Sequence, residues 1–203
     1  MAQIYYIGGS PCSGKSTIAE MLEKKYNLHY YKIDDYLQDY LEKGAKDNNP
    51  WLKKMNSVSM DEMWLKEPEL LNEEELATYE NMFEYILQEI KGLDSDGKDI
   101  ITEGAALMPK LAHKIGIDKK HYVCIVPTKE FQIKHYSQRP WIQQILFNYS
   151  DKQKAFQNWM DRDAFFALSI LEQAKKVGYE SYIVDGSKDI SDTFEFVEKV
   201  FGL

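Results

Sequence analysis

The chain has 203 residues, 44% of them hydrophobic, which is enough apolar material for one domain with a real core. Its 33 acidic against 25 basic residues leave a formal net charge of −8, arguing against a nucleic-acid partner, and no segment approaches the roughly 20 apolar residues that cross a bilayer. Cys12 and Cys124 lie far apart without ligand spacing, and Met1-Ala2-Gln3 runs into an apolar stretch with no basic leader, so the expectation is a cytoplasmic protein without zinc, disulfide or membrane anchor.

Gln3-Ile4-Tyr5-Tyr6-Ile7 is a β-prone run ended by Gly8-Gly9, and residues 16–26 carry helical apolar spacing at Ile18, Ala19, Met21 and Leu22. The chain therefore opens as strand, glycine-rich loop, helix. His29-Tyr30-Tyr31-Lys32-Ile33 predicts a second strand with Asp34-Asp35 at its carboxyl end, followed by a helix over 36–44. Residues 45–72, with Trp51, Met55, Met60, Trp64 and Pro68, read as an irregular insertion that covers a substrate. A clean helical stripe occupies 73–91.

Asp99-Ile100-Ile101-Thr102 leads into Glu103-Gly104 as a third strand, and 121–126 makes a fourth that Pro127 stops. Thr128 is a plausible N-cap. Residues 138–158 look irregular, aromatic and amide-rich; a helix then runs over 159–177 to Gly178, a fifth strand over 181–184, and a last helix over 190–201. Strands alternating with helices imply an α/β fold with a parallel sheet covered on both faces, whose ligands sit beyond the strand carboxyl ends. The glycine loop, Asp34-Asp35, Glu103-Gly104 and Asp185-Gly186 all fall at such ends.

Gly9-Ser10-Pro11-Cys12-Ser13-Gly14-Lys15-Ser16 is a P-loop pattern in the strand-to-helix context it requires. Its glycines let backbone N–H groups turn inward around phosphates, and the helix adds its positive end. The reading is ATP with Mg2+: Lys15 bridging the β- and γ-phosphates, Ser16 on the metal, Thr17 near the α-phosphate. Cys12 sits where a thiolate would be favoured, although a small residue fitting the turn accounts for it. Asp34 is the preferred base for an acceptor hydroxyl, with Asp35 beside it; the competing reading is a helix N-cap. Glu103 is expected to orient the metal and its waters, and Gly104 to open the approach to the substrate. Arginines are few, and Arg139 and Arg162 are the candidates for stabilising transferring charge. The histidines show no metal spacing.

Together, Gly8 to Thr17, Asp34, Glu103-Gly104-Ala105-Ala106-Leu107-Met108-Pro109 and Asp185-Gly186 resemble the small P-loop kinases, a group that includes shikimate, gluconate, adenylate and 2-phosphoglycerate kinases. That resemblance implies a three-layer P-loop NTPase fold with strand order 2-3-1-4-5, a single kinase domain over 1–203, a lid over 138–158 carrying Arg139 or Arg162, and adenine packed near Asp185-Gly186-Ser187. It implies an ATP-dependent phosphotransferase acting on a small molecule, as monomer or homodimer. The chain departs from adenylate and shikimate kinases in lacking their arginines after the second strand, so the acceptor stays open between a metabolite, a nucleoside and a nucleotide. An ATP-dependent regulatory switch is the alternative from another class.

Overall fold

The computed structural model describes residues 2–147 and 149–203, and leaves the side chains of Met60, Asp61 and Gln143 undescribed. Met60 of the expected insertion is thus described as backbone only, and Asn148 of the expected lid lies outside the described residues. Five strands, β1 (Ile4–Gly9), β2 (His29–Lys32), β3 (Ile100–Glu103), β4 (Tyr122–Pro127) and β5 (Glu180–Val184), form one parallel sheet in the order β2-β3-β1-β4-β5.

Alternation along β1 divides the core between the sheet's two faces. Tyr5 and Ile7 point to one side with Ile18 and Leu22 of α1 (Lys15–Tyr26) and with Phe194 and Val197 of α10 (Ile190–Phe201). Tyr6 points to the other, against Ile86 and Ile90 of α5 (Pro68–Gly92), Ala112 of α6 (Pro109–Lys114), and Phe166 and Ile170 of α9 (Lys152–Val177). Ile7, Ile18, Leu22, Ile86 and Ile170 are fully buried, each contributing about 1.5–3 kcal/mol through removal of its side chain from water.

The register places Ile7, Lys32 and Glu103 level across β1, β2 and β3. The segments that leave these strands therefore emerge side by side. After β2 the chain does not run on as strand: Ile33–Tyr36 is a 3-10 turn that carries Asp34 and Asp35 and hands over to α2 (Leu37–Lys46).

Two stretches expected to be irregular are helical. The insertion holds α3 (Pro50–Met55), α4 (Met60–Trp64) and the first turn of α5; the lid holds α8 (Pro140–Leu146) and the first two turns of α9, after α7 (Lys129–Tyr136). In both, a proline is the first helical residue, where its missing N–H costs nothing. Asn49 caps α3 by accepting from the N–H groups of Trp51 and Leu52, and Asp151 caps α9 through Lys154 N–H. Residues 136–160 have their own apolar centre of Tyr136, Ile142, Leu146, Tyr149, Trp159 and Met160. No helix among the described residues is long and apolar enough to cross a membrane.

Candidate active site

The loop between β1 and α1 is shaped by close backbone approach. A Cβ on Gly9, whose φ is +128°, would stand 1.9 Å from the Ile125 carbonyl oxygen, and one on Gly8 would stand 2.0 Å from the Tyr122 hydroxyl. Cys12 and Gly14 have φ of 62° and 84°, so the chain curls back before α1 begins at Lys15. Lys15 is 5% exposed, and its Nζ donates to the Ser10 carbonyl at 2.8 Å, which lays the ammonium across the loop. The Ser10 hydroxyl donates to the Asp163 carbonyl at 3.3 Å and ties the loop to α9.

Glu103 ends β3 fully buried. The Ser16 and Tyr30 hydroxyls both donate to its Oε1 at 2.9 Å, while Oε2 has no protein partner. Burial pushes its carboxyl above the ordinary range, against the pull of Lys15 and the two hydroxyls. No cluster of three His, Cys, Asp or Glu side chains exists among the described residues, so a cation here would rely on few protein ligands. The orphaned Oε2 beside Ser16 suits Mg2+ held by the Ser16 hydroxyl, by water on Glu103 and by phosphate oxygens.

Asp34 and Asp35 part company. Asp34 lines a cavity of about 240 Å³ together with Pro11 to Thr17, Tyr136 and Arg139, and its Oδ1 accepts from Ala105 N–H at 3.1 Å. It does not cap α2, whose N-cap is Tyr36 without a side-chain bond. Asp35 is exposed, pairs with Lys32 at 2.7 Å and does not line that cavity. Gly104 is buried rather than open to substrate: a Cβ there would come within 2.9 Å of both Asp34 Oδ1 and Ile33 Cβ. Its lack of a side chain makes room for Asp34.

The two arginines separate as well. Arg139, at the N-cap of α8, lies on the P-loop with Nη2 3.6 Å from Cys12 Sγ and its guanidinium over the rings of Tyr136 and Trp141. Arg162 does not line the P-loop cavity. It lies within α9, paired with Glu75 and with Asp163 at 2.7 Å each and stacked on Trp64, because two inward carboxylates hold it there. Asp163 is fully buried and also accepts from Gln132 Nε2 at 2.9 Å. One guanidinium facing two carboxylates cannot neutralise both, so burial pushes Glu75 up to about 7 and raises Asp163 as well, despite Arg162.

Cys12 is a thiol, not the favoured thiolate: burial raises it more than Arg139 and Lys15 lower it. On the far side of Arg139, a cleft of about 210 Å³ runs between Phe131, His135, Val184, Lys188 and Ile190. Asp185 and Gly186 line the adjoining hollow of about 210 Å³. The Asp185 carboxylate is engaged within its own turn by Ser187 N–H at 2.9 Å and Ser187 Oγ at 2.6 Å, and Gly186 packs on Phe131. Pro11, Ser13 and Thr17 stay on the P-loop cavity.

Sequence reasoning missed Tyr30, Glu75, Tyr79 and Asp163. Glu75 is the last of three consecutive glutamates and Asp163 one of two aspartates flanking Arg162, and nothing local marks them as inward-facing. Glu75 and Tyr79 wall a further cavity, about 340 Å³, lined mostly by Leu37, Leu41, Met55, Met63, Trp64, Leu71 and Met82 with Arg162, the partner of Asp163.

A parallel sheet in the order 2-3-1-4-5 with a phosphate loop between the first strand and first helix defines a P-loop NTPase fold, in the form seen in the small P-loop kinases. Solved structures with this arrangement include shikimate kinase from Bacteroides thetaiotaomicron (TM-score 0.53, 13% identity, 99% of each chain covered) and thymidylate kinase from Candida albicans (TM-score 0.50, 16% identity, 99% of this chain and 91% of that one). Deoxyadenosine kinase from M. mycoides is similar at TM-score 0.51 and 14% identity over 98% of each chain. No family model and no curated protein matches the sequence. At these identities the likeness is one of fold.

Proposed function

We propose that the chain is an ATP-dependent phosphotransferase that moves the γ-phosphoryl group to a hydroxyl of a small molecule. The observation that carries the reading is the cavity shared by the P-loop, Asp34 and Arg139, with Ser16 bonded to a buried Glu103 at its floor. Backbone N–H groups of the loop and the positive end of α1 receive the phosphates, and Lys15 swings from the Ser10 carbonyl to the β- and γ-oxygens. Mg2+ would be held by Ser16 and, through water, by Glu103, and would supply charge neutralisation on the phosphates when bound with ATP.

The acceptor hydroxyl bonds to Asp34, which takes its proton as the oxygen attacks the γ-phosphorus; the bond to the bridging oxygen breaks and ADP leaves. Ala105 N–H fixes one Asp34 oxygen and leaves the other for the acceptor. Arg139 opposes charge on the equatorial oxygens, and the purine packs in the cleft between Arg139 and Ile190, next to Asp185-Gly186. In this reading residues 1–203 act as one kinase domain in the cytoplasm, with 45–72 over the acceptor and 138–158 as the lid that excludes water.

The test is transfer from γ-labelled ATP with the wild type and Asp34→Asn. The variant should lose about 10²–10⁴-fold in transfer while ATP affinity stays within about threefold. Equal loss of both would show that Asp34 serves folding or the metal instead.

A further inference from the structure

Resting on the phosphotransferase reading, we infer that the acceptor is an uncharged, ring-bearing alcohol of the nucleoside class, seated in the cavity between α2, α5 and α9, and not a phosphate ester or a hydroxy acid. At about 340 Å³ the cavity falls in the range of small-molecule sites, about 300–1,000 Å³, and it adjoins the turn that carries Asp34. Asp34 does not line the cavity, whose lining begins at Leu37 just after that turn, but its charge acts on Glu75 and Tyr79 of the wall.

Three features of the wall select the ligand. First, it is apolar and adaptable, with Met55, Met63 and Met82 beside Leu37 and Trp64, surfaces that suit a flat ring and offer nothing to a hydrated anion. Second, its charge has the wrong sign for an anion. Arg162 is the one cationic side chain lining it among the described residues, and Glu75 and Asp163 already hold its terminal nitrogens. Glu74 adds a carboxylate, paired at 2.9 Å to Lys66 and at 3.4 Å to Lys54, neither of which lines the cavity. A phosphate or carboxylate on the acceptor would find no free cation there and would face Asp34 and the surplus charge of the Glu75–Arg162–Asp163 cluster.

Third, the wall has a polar atom still to satisfy. Arg162 Nε is buried without a hydrogen-bond partner, whereas Glu75 Oε2 is held by Arg162 Nη1 at 2.7 Å. Thr78 offers less, since its hydroxyl accepts from Trp51 Nε1 at 3.0 Å and donates to the Glu74 carbonyl at 2.6 Å. A heterocycle edge that offers an acceptor answers Arg162 Nε, and its sugar hydroxyl extends toward Asp34.

The experiment is calorimetric titration of the full chain at pH 8 with deoxynucleosides, with their 5′-monophosphates and with glycerate, alongside γ-phosphoryl transfer to each. At least one nucleoside should bind about tenfold or more tightly than its own monophosphate, with glycerate weaker still. Glu75→Gln, which removes one wall charge at constant shape, should narrow that gap several-fold. Monophosphates or glycerate binding as tightly as nucleosides, no nucleoside binding at millimolar concentration, or a gap that Glu75→Gln leaves unchanged would each overturn the inference. Nucleoside binding without transfer upholds the ligand class and overturns the phosphotransferase reading instead.

Discussion

Glu75→Gln also tests the electrostatics of the interior without any ligand. Glu75 shares Arg162 with Asp163, its side chain is 10% exposed, and burial holds its carboxyl at about 7 against an ordinary 4.5. Between those two values the folded protein keeps a proton that the unfolded chain releases, so unfolding loses protons and the stability falls as pH rises. Below about 4.5 both states are protonated and the effect vanishes; above about 7 both are ionised and the full cost is in place. At 1.36 kcal/mol per unit the wild type should lose about 3 kcal/mol from this group across that window.

Glutamine is isosteric, still accepts from the Tyr79 hydroxyl that now reaches Glu75 Oε1 at 2.9 Å, and leaves Arg162 paired one-to-one with Asp163. Urea unfolding of wild type and variant at pH 5 and pH 8 isolates the effect, because groups remote from the cluster cancel in the difference and Asp163, relieved of the Glu75 charge, shifts it in the same direction. The variant should gain about 2–3 kcal/mol relative to wild type on going from pH 5 to pH 8. A difference that is flat with pH, or that moves the other way, would refute the picture of two carboxylates competing for one guanidinium.

The arginines should behave oppositely under truncation. Arg162→Ala leaves two buried carboxylates uncompensated and should cost about 3–5 kcal/mol in chemical denaturation, whereas Arg139→Ala should leave stability within about 1 kcal/mol and lower γ-phosphoryl transfer about 10²–10³-fold. Reversal of the two phenotypes would return the transfer role to Arg162. Gly104→Ala places a methyl 2.9 Å from Asp34 Oδ1, so it should cost about 1–3 kcal/mol and depress transfer beyond what the lost stability explains; wild-type melting and turnover together would remove Gly104 as the spacer under Asp34.

Much of the architecture is legible along the chain because its causes are local. Alternating apolar residues around Tyr5 and Ile7, the glycines at 8, 9 and 14 and the apolar spacing at Ile18 and Leu22 mark a strand, a tight loop and a helix without reference to anything distant. Local signals leave 45–72 and 138–158 irregular, whereas Pro50 and Pro140 each begin a helix there, a position at which proline's missing N–H costs nothing.

What only the tertiary structure decided are the choices between chemically identical neighbours. Asp34 and Asp35 are adjacent carboxylates, and the 3-10 turn after β2 sends one to the P-loop cavity and the other to Lys32. Arg139 and Arg162 are both basic residues after β4, yet one stands at a helix start on the P-loop and the other is drawn inward by Glu75, 87 positions earlier in the chain, and by its neighbour Asp163. Pairings across such separations depend on which helix faces pack together, and no periodicity within a single segment carries that information.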